Sequence, residues 1–450
     1  MHAGDINIVP ESIVWEQCIQ RAIISDVGMR RTSNQDAFTL LPARDLKNWR
    51  ERGHLFLVAD GMGAHAGGEL ASRLAADGIP HTYYTYRDKP AAEAIRLAIV
   101  ETNAQIHQRG AANSDFHNMG TTASVLLLLP EGAVVGHVGD SRVYRLRQNQ
   151  LDQITFDHSL LWEMKATGKF PKDADLESVV PKNVITRSIG PNENVEVDLE
   201  GPFPIEMGDT FLLCSDGLTA KIEDEELGAL LASLDPEDAV RVLVDLANLR
   251  GGPDNITVLV VKVTGDALTT SAAGIRSAIA GRTRKRATVN PVLWVIMGIC
   301  ALAAGVLYAG GRQIEAVLAV AGSALAGLLA LIQKLDCFEG NTSAVVGEML
   351  GKGPHRRITC PPTHRFVAQL DGLAEELKEA ADHAQWGIDF SPFDGFCDAA
   401  RTATRQRDYR DAVRQYGLGI SHVMEQLRKR RRKQEEDASS ADRAGADDSS

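Results

Sequence analysis

Short apolar runs recur along the first 265 positions, and most of them meet a carboxylate. Leu55 to Ala59 is five consecutive apolar residues, the length of a buried strand, and it stops at Asp60-Gly61-Met62-Gly63. Thr210 to Ser215 delivers Asp216-Gly217 in the same way, and Ala133 to Val138 delivers Gly139-Asp140. Ile256 to Val261 begins just after Gly251-Gly252-Pro253-Asp254-Asn255. Arg21 to Asp26 and Ala123 to Leu129 complete the strand pattern, and Asp36 closes Arg30-Arg31-Thr32-Ser33-Asn34-Gln35-Asp36. Between the strands the period changes. Ile95, Ala98, Ile99, Thr102 and Ile106 share one helical face, with Pro90 before them and Gly110 after. Glu223 to Leu231 and Pro236 to Arg250 read as two more helices.

One Asp-Gly after a strand is ordinary turn chemistry. Five aspartates at strand ends (36, 60, 140, 216 and 254) ask for more. If they converge, they repel one another by several kcal/mol unless cations neutralise them. Carboxylates and a bared Gly61 carbonyl are ligands for hard ions such as Mg²⁺ or Mn²⁺.

These blocks resemble the metal-dependent serine/threonine protein phosphatases of type 2C, in their bacterial form. The likeness runs from about Ser25 to Val263 and rests on the order of the blocks. They are Ser-Asp-x-Gly-x-x-Arg-x-x-Asn-Gln-Asp, Ala-Asp-Gly-Met-Gly, Gly-Thr-Thr, Gly-Asp-Ser-Arg, Ser-Asp-Gly-Leu and Gly-Pro-Asp-Asn-Ile-Thr-Val. The resemblance implies an α+β fold, a four-layer α/β/β/α sandwich of two antiparallel sheets. It implies two cations, Mn²⁺ or Mg²⁺, that activate a water. Asp60 would serve both, Asp216 and Asp254 would complete one site, and the Gly61 carbonyl would serve the other with Asp36 behind it. Asp140 matches the position of a third, weakly held ion. Arg31 matches the phosphate-binding arginine, since a guanidinium grips a phosphate with two parallel donors. Gln35 stands where relatives often carry Glu, which removes one charge near the metals. His65 is a candidate general acid, with a solvent-facing loop histidine as the plain alternative. Asp157 to Asn194 corresponds to the flap, a mobile piece beside the active site. Arg142 and Arg145 are expected to orient carboxylates or face solvent.

Composition adds limits. The net charge of −12 argues against nucleic acid as a partner. Six cysteines lie far apart with no CxxC pair, which reads as reduced thiols rather than a disulfide frame or zinc site. The N-terminus lacks the basic and apolar regions of a signal peptide.

Beyond the resemblance the pattern changes again. Residues 1–20 are a lead-in, 21–265 the catalytic domain, and 266–288 a basic linker. Between Arg286 and Arg312 stand 25 uncharged residues, and Ala316 to Gln333 adds 18 more. A span needs about 20 apolar residues, so 289–333 reads as a transmembrane hairpin. Its alternative is a buried helical pair. Basic residues flank both ends, which places both flanks in the cytoplasm. Residues 334–428 read as a separate cytoplasmic helical region. One stripe runs Phe366, Leu370, Leu373 and Leu377; another runs Val413, Tyr416, Ile420, Val423 and Leu427. Residues 429–450 read as a disordered tail.

The expected function is hydrolysis of phosphoserine and phosphothreonine on cytosolic proteins, at the cytoplasmic membrane, opposing a cognate serine/threonine kinase. A phosphoprotein-binding pseudophosphatase scaffold and a hydrolase of small phosphoesters are the alternatives. The retained Asp60, Asp216 and Asp254 argue against the first, and comparing phosphopeptide with nucleotide substrates separates the second.

Overall fold

The computed structural model describes residues 15–63, 66–167, 180–181, 184–270, 291–314, 317, 320–321, 324, 350–384 and 386–447. Two strands open it, β1 (Ile19–Asp26) and β2 (Asp36–Leu41), followed by helix α1 (Leu46–Arg52) and strand β3 (His54–Met62). Two long helices come next, α2 (Gly67–Thr85) and α3 (Ala91–Ala112). Then run β4 (Gly120–Thr121), β5 (Ala123–Leu129), β6 (Gly132–Val138), β7 (Arg142–Arg147) and β8 (Gln150–Gln153). Helix α4 (Leu160–Ala166) leads to β9 (Asp198–Phe203) and β10 (Thr210–Cys214). Helices α5 (Asp216–Thr219), α6 (Asp224–Ser233) and α7 (Pro236–Leu249) precede β11 (Ile256–Val263).

The strands, with a last one, β12 (Arg356–Thr359), from far along the chain, form two antiparallel sheets, ordered β1-β11-β10-β7-β8-β12 and β2-β3-β5-β6-β9, with β4 beside β3. Alternation along each strand assigns its side chains to layers. On β3, Leu55, Leu57 and Ala59 pack with Ile79, Ile95 and Ile99 of α2 and α3. Phe56 and Val58 turn the other way and meet Phe211, Leu213, Leu259 and Val261 of the facing sheet. Leu212, Val258 and Val260 point outward onto Leu230, Leu243 and Leu246 of α6 and α7. The result is the expected helix–sheet–sheet–helix sandwich. Parity also aims Asp60: two residues beyond Val58, it emerges on the face between the sheets.

The chain beyond residue 348 departs from the expectation of a separate region. Residues 1–274 and 349–450 form one compact unit, and 275–348 a second. In the second, helix α8 (Pro291–Ala309) is 19 residues long. Among the described residues no helix is long and apolar enough to cross a membrane; most of 316–333 lies outside them. In the first, strand β12 (Arg356–Thr359) pairs antiparallel with β8 and extends the first sheet. Helices α9 (His364–His383), α10 (Ser391–Arg405) and α11 (Tyr409–Asp447) follow. Phe366, Leu370, Leu377, Val413, Tyr416 and Ile420 join the same core as α6 and α7. The crossing of α11 over α7 is close, since a Cβ at Gly417 would stand 3.1 Å from Val242. The apolar stripes are real; their partner is the catalytic domain itself. α11 also continues as helix to Asp447, where a disordered end was expected. Cys18, Cys214, Cys300, Cys360 and Cys397 form no disulfide with one another; Cys337 lies outside the described residues.

Candidate active site

Both sheets contribute to one end of the sandwich. Asp36 opens β2 and stands directly opposite Asp60 on β3. Asp140 follows β6 by two residues, Asp216 follows β10 by two, and Asp254 precedes β11 by two. The strands hold these carboxylates through the backbone beside them. The Asp60 N–H donates to Thr122 Oγ1 at 2.9 Å, and its carbonyl accepts from Thr121 Oγ1 at 2.8 Å. Ser215 Oγ donates to Asp36 Oδ2 at 2.8 Å. The Gly61 N–H donates to the Gln35 carbonyl at 3.1 Å.

Asn255 ties the loops together. Its Oδ1 accepts from the Gln35 N–H at 2.8 Å, and its Nδ2 donates to the carbonyls of Val27 and Ser33, each at 3.0 Å. One side chain thus links the loops bearing Arg31, Asp36 and Asp254. The glycines beside the aspartates are there for space. A Cβ on Gly61 would fall 2.2 Å from the Gly68 carbonyl oxygen, and one on Gly217 would fall 2.0 Å from that of Asn255.

The acids feel one another. Burial pushes the Asp60 carboxyl well above its ordinary range, and repulsion from Asp36, Asp216, Asp140 and Asp254 adds to it. Asp36 is raised to about 7, first by burial and then by Asp216 and Asp254, against hydrogen bonds from Thr257 and Ser215. Burial, Asp216 and Asp157 raise Asp140 to about 8. Asp216 is also raised, by burial and then Asp254, while a hydrogen bond with Asp60 opposes the shift. This is the electrostatic signature of a site that wants positive charge.

The oxygens available agree with that. Asp36 Oδ1 and Asp140 Oδ1 are buried and have no hydrogen-bond partner among the described residues; an ionised carboxylate oxygen there can only accept. Among the described residues no group of three or more His, Cys, Asp or Glu makes a ready cage for an ion. Mg²⁺-like sites seldom need one, because they use one or two carboxylates and keep several waters. A divalent ion therefore fits these oxygens.

Arg31 lies at the rim. Its side chain is half exposed, and Nη2 reaches Asp254 Oδ2 at 2.8 Å. The structure brings Arg31 and the five predicted aspartates together. His65 lies outside the described residues. Arg142 and Arg145 turn to carboxylates, Asp157 at 2.7 Å and Asp152 at 2.7 Å. The supporting roles of Thr121, Thr122, Ser215 and Asn255 went unassigned in sequence, although each sits inside a block that carried the resemblance.

Residues 29–246 match the family described as Protein phosphatase 2C. Protein phosphatase PhpP of Streptococcus pneumoniae is 35% identical over 249 residues, 54% of this chain and 96% of that protein. Serine/threonine phosphatase Stp of Listeria monocytogenes is 37% identical over 243 residues, 53% of this chain and 93% of that protein. A solved structure of the catalytic domain of PstP in complex with 2 manganese ions is 30% identical, covers 55% of this chain and 99% of that one, and has a TM-score of 0.46. The chain belongs to the protein phosphatase 2C family, whose members are metal-dependent enzymes.

Proposed function

We propose that the chain hydrolyses phosphoserine and phosphothreonine on proteins, from a site built on Asp36, Asp60, Asp140, Asp216 and Asp254 with Arg31 at its rim. The observation that carries this is the convergence of those carboxylates at one end of the two sheets, with Asp36 directly opposite Asp60 and the buried Asp36 Oδ1 and Asp140 Oδ1 lacking a hydrogen-bond partner among the described residues. Bound divalent cations would neutralise the crowd and make a water acidic enough to react near neutral pH. Asp60 would hold two ions, Asp216 and Asp254 one of them, the Gly61 carbonyl the other with Asp36 behind it, and Asp140 a third.

The chain's own groups do the rest. Arg31 is positioned to release Asp254 and present its planar fork to two phosphate oxygens, the geometry a phosphate dianion demands. That fork also stabilises charge as it spreads over the phosphoryl oxygens. Thr121, Thr122 and Ser215 fix Asp60 and Asp36, so little reorganisation accompanies reaction.

The proposal extends to location. Residues 289–333 form a membrane hairpin whose flanks both face the cytoplasm, so the enzyme would oppose a serine/threonine kinase there. Two things support this: the long uncharged runs, and the exposure of Ile299, Leu302, Val306, Tyr308, Ile314, Val317 and Val320. Such a band is costly in water and suits lipid.

Hydrolysis of a phosphoserine peptide, a nucleotide and p-nitrophenyl phosphate tests the chemistry. Turnover should require Mn²⁺ or Mg²⁺ and fall at least about 100-fold in Asp60→Asn. Faster nucleotide hydrolysis would overturn the substrate class. Fractionation of cells carrying the full chain, and a form with 289–333 replaced by a Gly/Ser linker, tests location. The first should sediment with membranes and the second should not.

A further inference from the structure

The segment Leu350–Cys360 does more than lengthen a sheet. Arg356 stands directly opposite Gln153 on β8, and Gln153 opposite Tyr144 on β7. Directly opposed residues share a face, so these three side chains lie in one row. Arg142, two residues from Tyr144, is on that face too. Hydrogen bonds bind the row together. Arg142 Nη1 donates to Tyr144 Oη at 2.8 Å, and Tyr144 Oη donates to Asp224 Oδ1 at 2.8 Å. Gln153 Nε2 donates to Asp157 Oδ1 at 2.8 Å. Asp157 is also gripped by Arg142. Arg356 closes the row through an ion pair with Asp224 at 2.8 Å.

Trp162 sits over this row. It lies on α4, five residues into the flap. Arg142 stands 5.6 Å from its ring centroid and Arg356 5.9 Å, so two guanidinium groups contact one indole. Phe156 meets Trp162 edge-on at 5.4 Å and His355 at 5.5 Å. The flap base is also tied to the metal-site loop. His158 N–H donates to the Gly139 carbonyl at 2.8 Å, and Gly139 N–H donates to His158 Nδ1 at 2.9 Å. Asp140 is the next residue. Arg142 comes from the catalytic domain, whereas Arg356 is supplied from beyond residue 348.

We propose that Arg356 is a positioning residue, which seats Trp162 against Arg142 and so sets how the flap receives a phosphoprotein. The substrate part rests on the function proposed above. Arg356 touches no aspartate of the metal site in this arrangement, so hydrolysis of a small aryl ester should not need it. Arg357 is the internal control. It points to the opposite face and pairs with Asp152 at 2.7 Å, so its loss weakens the same strand without touching Trp162.

The test compares the full chain with Arg356→Ala, Arg356→Lys and Arg357→Ala, using Mn²⁺, a phosphoserine peptide and p-nitrophenyl phosphate. In Arg356→Ala, KM for the peptide should rise by about fivefold or more, the loss of one cation–π contact. Its kcat on p-nitrophenyl phosphate should stay within about twofold. Arg356→Lys should recover most of the peptide KM, and Arg357→Ala should leave it unchanged. Trp162 emission, isolated by difference from a Trp162→Phe partner of each variant, should shift to the red only in Arg356→Ala. Equal losses on both substrates, or the same changes in Arg357→Ala, overturn the proposal. Unshifted Trp162 emission in Arg356→Ala overturns it as well, and that readout decides even if the parent chain ignores the peptide, a result that would sink the substrate reading instead.

Discussion

At the scale of single residues, the carboxyls make a claim about pH. An acid whose folded pKa lies above its unfolded value binds its proton more tightly in the folded chain. For Asp36 the window runs from 3.8 to about 7, and for Asp140 from 3.8 to about 8. Within it the folded state carries more protons than the unfolded one, so stability falls as pH rises. With EDTA present, Tm should therefore drop steadily between about pH 5 and about pH 8. Saturating Mn²⁺ should raise Tm most at the alkaline end, because binding to the folded form alone stabilises it. A metal-free Tm that is flat or climbs across this range would contradict the crowding of these acids. Much of this was legible in the residues: each aspartate stands within two residues of one end of an apolar run. The Gly61 and Gly217 requirement was only half legible. Asp-Gly announces a turn, but a neighbouring loop's carbonyl, contributed by residues far away in sequence, is what leaves no room for a Cβ.

Among elements, α11 and α7 make the decisive contact. Asp245 is fully buried on α7, and its ion-pair partner is Arg428 on α11. Removing the arginine strands a carboxylate under a helix. Arg428→Ala should cost about 1–3 kcal/mol, because the guanidinium is partly solvated and its loss leaves a buried acceptor unmet. Chemical denaturation measures this, and a double variant with Asp245→Leu should regain most of it. The helices themselves were readable from their stripes, and α3 begins one residue after Pro90, as the pattern required. What Val413, Tyr416 and Ile420 touch was not readable, since a stripe says that a face is covered and not by what. A clue did exist on the other side. Val240, Val242, Leu243, Val244, Leu246 and Ala247 of α7 are all buried, and an apolar face that wide has room for more than one neighbour. Strand β12 gave no such clue. Arg356-Arg357-Ile358-Thr359 has no alternation of apolar residues, and its conformation is decided by the edge of β8.

On the scale of the whole molecule, chain order and spatial order diverge. Residues 1–274 and 349–450 belong to one unit although 74 positions, 275–348, stand between them. The intervening stretch is thus an insertion with both ends rooted in the same body, and the two flanking pieces share one hydrophobic core. A protease site engineered between residues 335 and 348, then cut in detergent, should leave two fragments that travel as a single species in gel filtration and still hydrolyse p-nitrophenyl phosphate. Separate elution of the fragments would contradict the shared core. The covalent link should then be dispensable once folding is done, leaving a noncovalent pair of unequal fragments held by one core.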